Sequence, residues 1–543
     1  MNFKENESPQ KLRGGYYTPN NLASYLSRWV AEIRPARILE PSCGDGAFFL
    51  PLSEALTQPA KLTAVELNAA EAASATARSK CLKNLSVDLQ CTDFLEWYLT
   101  HQKKINTFDA VLGNPPFIRY QYLKPADQGY AEKIFQLSGL KFTRHTNAWV
   151  PFVIASLSLL RDGGRLAMVL PSEILHVLHA QSLRSFLGNQ CKKITIIDPE
   201  EIWFAGTLQG AILLLAEKKE EVSQKSEGLG VIKTTGEAFL SKADPFDFRR
   251  TKYLNGKTVE GKWTRALLDP KELELYEKVC AHTEVHLFSD IASVDVGIVT
   301  GANKFFLVDA KTVQDYDLQH WAYPMFGRSE HCPGVLYDHN QHEFNTNRGL
   351  PTQFLWFDVR SDSELSRGAK KYIELGAAQG LHTRYKCRIR TPWYKVPSIY
   401  STPVGMLKRA HNYPRLIHNS IDALTTDTAY RISTAVNPKK LVHAFVNSFT
   451  ALSAELEGRH YGGGVLELVP SEIEKLRVPL PRGLRPSIKN LDSIVRDRKQ
   501  TDVLKIQDQK ILLRLGLSPS EVAVLHGAWR KLRNRRQRNG EEN

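Results

Sequence analysis

From about residue 36 to residue 217 the chain repeats one pattern: a short aliphatic or β-branched run, a turn, then a helix-like stretch. The runs are ARILEPSCG, KLTAVELN, VDLQCTDFL, FDAVLGNPPF, GRLAMVLPS, KKITIID and QGAILLLAE. Strands that alternate with helices predict a doubly wound, Rossmann-like α/β fold with a parallel sheet and helices on both of its faces. Ligands of such a sheet bind beyond the carboxyl ends of its strands, so the residues that close each run carry the chemical interest.

The pattern stops at a charged segment poor in large apolar residues, KKEEVSQKSEGLG. Beyond it, aromatic and β-branched pieces such as GIVTGANKFFLV, QFLWFDVR, TPWYKVPSIY and TDTAYRI lie among many turn residues, which suits a mixed α/β domain. A helical stretch follows and ends with Arg530, Lys531, Arg533, Arg535, Arg536 and Arg538 crowded together. Such a run is either a solvated terminus or a contact for a phosphate backbone. The expected division is 1–220 for the first domain, 221–240 for a linker, 241–490 for the second domain and 491–543 for a helical basic tail.

Composition adds constraints. Hydrophobic residues make up 42% of the 543 positions, enough for each domain to bury its own core. The polar start MNFKENESPQ is no signal sequence, and no run reaches the roughly 18 apolar residues of a membrane span, so a soluble, cytoplasmic protein is expected. The seven cysteines are scattered, without paired CxxC spacing, and read as reduced thiols; no metal site is expected. A formal charge of +14 makes nucleic acid the leading partner, although charge supplies attraction rather than activity.

In ARILEPSCGDGAFF a strand runs into Glu40, Pro41, Ser42, Cys43, Gly44, Asp45 and Gly46, where glycines let the backbone approach a ligand closely. The next strand ends in Glu66, 22 positions after Gly44, the separation at which an acid on the second strand accepts from ribose hydroxyls. A third strand ends in Asp93 and Phe94, suited to the amine and the face of an adenine ring. Each acid alone could be a helix cap or an exposed charge; three at successive strand ends point to a bound nucleoside. The glycine spacing lacks the third glycine of GxGxxG, which favours S-adenosylmethionine over a nicotinamide dinucleotide.

The segment FDAVLGNPPFIRY carries the other half of the chemistry. An exocyclic amine conjugated to a purine is a poor nucleophile until its lone pair is drawn out of the ring. Asn114 can offer a side-chain oxygen and Pro115 its backbone carbonyl to the two amine hydrogens, while Pro115 and Pro116 freeze the turn in advance of the reaction. Phe117 offers a flat apolar face to a base. Such chemistry cannot take place inside a base-paired stack, so the target adenine must be flipped out. Phe204 is the candidate for stacking on its second face.

These residues resemble the gamma-class adenine-specific (N6) DNA methyltransferases of bacterial restriction-modification systems, of the NPPF type with a C-terminal target-recognition domain. The resemblance covers roughly residues 13–217 and follows the family's order of cofactor motifs, catalytic Asn-Pro-Pro-aromatic motif and recognition domain. It implies that GGYYTPNNLASYL, with Thr18 and Pro19, closes over the methionine moiety, and that Phe117 replaces the more common tyrosine. In the second half, Gly301 and Asn303, Trp393 and Tyr394, TDTAYRI, and Tyr461 to Gly464 are similar to stretches that hold the recognition domain together and follow the DNA backbone. The implied enzyme transfers a methyl group from S-adenosylmethionine to adenine in double-stranded DNA, works as a monomer, and shares its site with a possible cognate restriction endonuclease without a stable complex. With no nuclease motif before the cofactor motifs, a stand-alone modification enzyme is expected. An RNA adenine or protein glutamine methyltransferase, or an inactive DNA-binding subunit, would share the first half; the long C-terminal half favours DNA.

Overall fold

The computed structural model describes residues 18–101, 107–118, 120–144, 146–199, 210–234, 237–241, 246, 248, 251–254, 261–461 and 463–537. The chain forms two compact units, the first running through Leu267 and the second comprising Leu268–Gln537. Among the described residues no helix is long and apolar enough to cross a membrane.

The first unit is built on an eight-stranded sheet: β1 (Arg37–Glu40), β2 (Ala60–Glu66), β3 (Leu85–Cys91), β4 (Phe108–Gly113), β5 (Leu160–Pro171), β6 (Cys191–Pro199), β7 (Ala211–Lys218) and β8 (Gly228–Thr234), in the order β3-β2-β1-β4-β5-β7-β6-β8. From β3 to β5 all pairings are parallel. The central strands read as near-continuous apolar runs because helices cover both faces. On one side the helix Asn20–Ala31 packs Leu22, Leu26 and Trp29 against a core shared with Phe48, Phe49, Ile38, Leu62 and Leu112. The helix Trp149–Leu159 buries every side chain except Ser158, as an element enclosed on all sides must.

Two expectations are corrected. The sheet is mixed, not parallel throughout: β7 pairs antiparallel with both β5 and β6. β6 ends at Pro199 and β7 begins at Ala211, and an antiparallel neighbour needs no helical crossover. The segment 221–240, read as a linker, contains β8, which pairs in parallel with β6 from Lys193 opposite Gly228 to Pro199 opposite Thr234. Its few apolar residues, Leu229 and Val231 among them, suffice for an edge strand.

The second unit is mixed α/β. Its five-stranded sheet orders Ala292–Val296, Ala429–Thr434, Val404–Leu407, Leu416–Asn419 and Leu336–Tyr337, and an aromatic core gathers Phe305, Phe306, Trp321, Phe354, Tyr372 and Tyr394. The stretch from 491, expected as a basic tail, is packed structure through Gln537. The helices Gln500–Ile511 and Pro519–Gln537 bury Val503, Leu504, Leu525, Trp529 and Leu532. Arg536, read as either solvated or phosphate-bound, is buried. It donates to both oxygens of Glu455, Nη2 to Oε1 at 2.7 Å and Nε to Oε2 at 3.0 Å, and to the carbonyls of His411 and Asn412. Burial raises the Glu455 carboxyl, but the Arg536 charge and the hydrogen bonds from His460 and Arg536 together outweigh it and hold the group at about 2. Lys531 likewise pairs with Glu272. A helix that supplies apolar residues on one face draws the cations interleaved with them inward too, which charge counting alone does not show.

Candidate active site

The carboxyl ends of β1, β2 and β4 meet, and the sequence makes that possible with glycine. A Cβ on Gly113 would lie 3.3 Å from Pro41 Cδ, tighter than Cβ atoms ordinarily pack, so glycine at the end of β4 lets the turn after β1 lie close beside it. After β1 the chain turns through Gly44 and Gly46 at φ +54° and +85°, the left-handed region that favours glycine. Space around the position of a Gly44 Cβ is open to beyond 4 Å.

Glu66, at the end of β2, braces this turn: Oε2 accepts from Gly44 N at 2.9 Å and Oε1 from Asn68 N at 2.7 Å. Cys43 N also donates to Val65 O at 3.0 Å, and Arg78 pairs with Asp45 at 2.7 Å. Glu40 is fully buried, and among the described residues its Oε2 has no hydrogen-bond partner. Burial first, then the nearby Glu66 and Asp45 carboxylates, push its carboxyl well above the ordinary range. A buried acceptor without a partner, beside two more acids, is a site poised for a cationic or hydroxyl-bearing ligand.

Asn114 follows directly on β4. Its side-chain nitrogen donates to Thr18 Oγ1 at 3.3 Å, which assigns the acceptor Oδ1 to the opposite end of the amide. Its backbone oxygen accepts from Ser42 Oγ at 3.1 Å, so the turn after β1 and the turn after β4 are bonded to each other. Thr18 and Ser42, expected as cofactor contacts, therefore both touch the turn that carries Asn114. Pro115 is buried, Pro116 and Phe117 are half-buried, and Ile118 O accepts from Ala148 N at 2.8 Å, pinning the exit of the turn to the start of the helix Trp149–Leu159.

The third strand end is arranged differently. Asp93 caps the helix Phe94–Thr100, with Oδ1 accepting from Leu95 N at 2.8 Å and Glu96 N at 2.9 Å. Burial raises its carboxyl more than these bonds lower it. Phe94 is only 2% exposed, and its ring lies 5.1 Å from Phe152 and 6.2 Å from Trp97, centroid to centroid. Phe94 is thus packed into the core. Phe204 lies outside the described residues. Sequence reasoning passed over Gly113, whose signal was a small residue between an apolar strand and Asn114.

Comparison with known proteins follows the same two-part division. The N-6 DNA methylase family profile matches residues 2–249, and the profile of the C-terminal domain of type II methyltransferase M.Eco57I matches residues 260–512. Type II methyltransferase M.AccI of Acinetobacter calcoaceticus is 22% identical over 480 residues, covering 85% of this chain and 84% of the relative. M.XamI of Xanthomonas campestris pv. amaranthicola is 22% identical over 490 residues, covering 86% and 85%. Among solved structures, the type IIL restriction-modification enzyme MmeI, determined in complex with DNA, is alike in fold at TM-score 0.55 and 11% identity, covering 96% of this chain and 73% of that one. With both halves matched in this order, the chain belongs to the N-6 DNA methylases of type II restriction-modification systems, and it is an adenine-specific DNA methyltransferase.

Proposed function

We propose that the first unit binds S-adenosylmethionine and a flipped adenine together at the carboxyl ends of β1, β2 and β4. The residues suit the cofactor: it brings an ammonium cation, ribose hydroxyls and an adenine amine, all donors, and the strand ends offer carboxylates. Glu40, with its unpartnered Oε2, and the open turn at Ser42 and Gly44 would take the methionine end. Glu66 retains lone pairs for ribose beyond its two backbone bonds, and Asp93, which accepts from Leu95 N and Glu96 N through Oδ1, keeps Oδ2 for the adenine amine. The buried Phe94 ring fixes Asp93 at its helix start. When bound, the cofactor supplies an electrophilic methyl group.

Asn114 Oδ1 and the Pro115 carbonyl accept from the two hydrogens of the target amine and draw its lone pair out of ring conjugation. Because the prolines and the bonds to Thr18 and Ser42 hold the turn, these acceptors need no rearrangement as charge develops. Phe117 stacks on the extruded base, with Phe204 as its counterpart on the second face. The substrate is duplex DNA in the cytoplasm; a monomer suffices to modify one strand at a time, and an endonuclease of the same specificity would act separately.

The observation that carries this reading is the Ser42 Oγ bond to the Asn114 backbone, which joins the cofactor turn to the catalytic turn. Its test is long-read methylation sequencing of genomic DNA from a host expressing the wild type or Asn114→Ala. Methyl-adenine at one short motif with the wild type alone is the expected result. Unmodified DNA in both strains, from a protein that still binds S-adenosylmethionine, would overturn the assignment of Asn114 and of DNA as this chain's substrate.

A further inference from the structure

In the second unit, three stretches far apart in sequence lock together. Gly297 N donates to Ala429 O at 3.0 Å, and a Cβ on Gly297 would lie 2.0 Å from Thr426 O. Asn303 Nδ2 donates to Asp427 Oδ1 at 3.1 Å. Arg390 donates to the carbonyls of Thr300 at 2.7 Å and Val299 at 2.6 Å, and Gly301, at φ +79°, packs so closely under the turn Tyr385–Arg388 that its Cβ would lie 2.6 Å from Lys386 Cβ. The Trp393 ring lies 5.1 Å from Phe305, centroid to centroid and tilted against it, and Tyr394 is buried in the same core. These residues hold the assembly; they are not the surface it offers.

The offered surface is what this segment leaves exposed. Cys387 is buried, while Arg384, Tyr385, Lys386, Arg388 and Ile389 around it are exposed, Tyr385 by 64% and Ile389 by 60%. From Leu375 to Ile421 the sequence contains no Asp or Glu. Other cations of this stretch are spoken for: Lys408 and Arg409 pair with Glu467, and Arg390 is held by carbonyls. Among the described residues, Arg384, Lys386 and Arg388 have no carboxylate partner. Three uncompensated cations on a turn fixed from beneath, with a large aromatic and a large aliphatic side chain between them, complement a polyanion with an apolar edge. A sugar-phosphate backbone has both features.

We propose that Arg384, Lys386 and Arg388 form a phosphate-contacting face for duplex DNA in the second unit, with Tyr385 and Ile389 against the sugar edge. The proposal rests on duplex DNA being the substrate. It also accounts for a basic C-terminal helix that spends Arg536 and Lys531 on internal ion pairs.

The test uses the full-length chain and a fluorescent duplex, with anisotropy titrations across a salt series. The triple variant Arg384→Ala, Lys386→Ala, Arg388→Ala is expected to bind at least ~10-fold more weakly at low salt and to lose roughly 2 to 3 from the slope of log K against log salt, since each neutralised phosphate contributes about 0.9. Its S-adenosylmethionine affinity and its methyl transfer rate at saturating duplex should match the wild type. An unchanged slope in a variant that still methylates DNA overturns this face alone. A wild type that binds S-adenosylmethionine but neither binds nor methylates duplex overturns the DNA reading and this proposal with it.

Discussion

The two ends of the parallel strands in the first unit treat the same chemical group in opposite ways. At the amino ends, Asp109 opens β4 with its carboxylate fully engaged: Oδ2 accepts from Ala36 N at 2.9 Å and Arg37 N at 2.8 Å, and Oδ1 from Arg161 Nε at 2.6 Å. Burial raises this carboxyl, but the hydrogen bonds and the Arg161 charge together lower it below its ordinary value. Close by, Arg165 pairs with Glu32 at 2.7 Å and lies 4.6 Å over the Trp29 ring. At the carboxyl ends, Glu40 is buried with an acceptor unmet and a raised carboxyl. Of these two carboxylates, the one at the amino ends is held by three donors and serves cohesion, while the one at the carboxyl ends keeps an acceptor unmet where the proposed ligand would bind, so stability and chemistry fall at opposite ends of the strands.

That separation can be broken from either end. The largest effect should come from Asn114→Ala, which removes an acceptor that acts only on the reacting amine: single-turnover methyl transfer should fall by roughly 10²- to 10³-fold, the scale for one preorganised polar group. Cofactor affinity by calorimetry and the unfolding midpoint should stay near the wild type. Asp109→Ala should do the reverse. Leaving two backbone N–H groups and a guanidinium without their acceptor should lower unfolding free energy by about 2 to 3 kcal/mol in denaturant titration, with turnover per folded molecule intact. Because the Asp109 carboxyl is lowered in the fold, its contribution is complete above the ordinary carboxyl value and disappears as pH falls through the lowered one, so the variant should also lose part of the acid-side decline in stability. A large loss of turnover here would contradict the comparison.

Phe117→Ala should weaken capture of the flipped base by roughly 1 to 3 kcal/mol, the range for aromatic platforms. Duplexes carrying a mismatch at the target adenine, where extrusion costs less, should recover part of the loss. Glu40→Gln gives the smallest and most discriminating change. A carboxyl raised in the fold makes the native state bind more protons than the unfolded chain, so wild-type stability without cofactor should fall as pH rises above the ordinary 4.5. The glutamine variant should lack that decline and should bind S-adenosylmethionine poorly. A wild type whose stability is flat with pH in this range would remove the raised carboxyl of Glu40 from the comparison.

Much of this was readable from local pattern. The strands β1 to β7 follow apolar runs, and the turns after β1 and β4 follow from glycine and proline chemistry confined to a few residues. What escaped depends on partners distant in the chain. Asp93 is a helix cap because the chain turns directly into Phe94, a choice the sequence alone left open against ligand binding. β7 could not be assigned its direction from an apolar run that any buried strand would show. The burial of Arg536 depends on Glu455, 81 positions earlier, and no feature of a basic helical end announces it. Thr18 and Ser42 were expected as cofactor contacts, and their bonds to Asn114 appear only once the two turns meet.

The placement of β7 between β5 and β6 has a consequence for how the first unit can be assembled and cut. β5 and β6 point the same way with a strand's width between them, and the chain reaches 199 before the residues that close the gap, Ala211–Lys218, are available. Until then two long apolar strands present unpaired backbone edges to each other and to any neighbouring molecule, the arrangement that seeds aggregation. A truncation meant to isolate the first unit must therefore extend past β7 and the edge strand β8 to Leu267; one that stops short of Ala211 should give aggregated protein rather than a smaller enzyme.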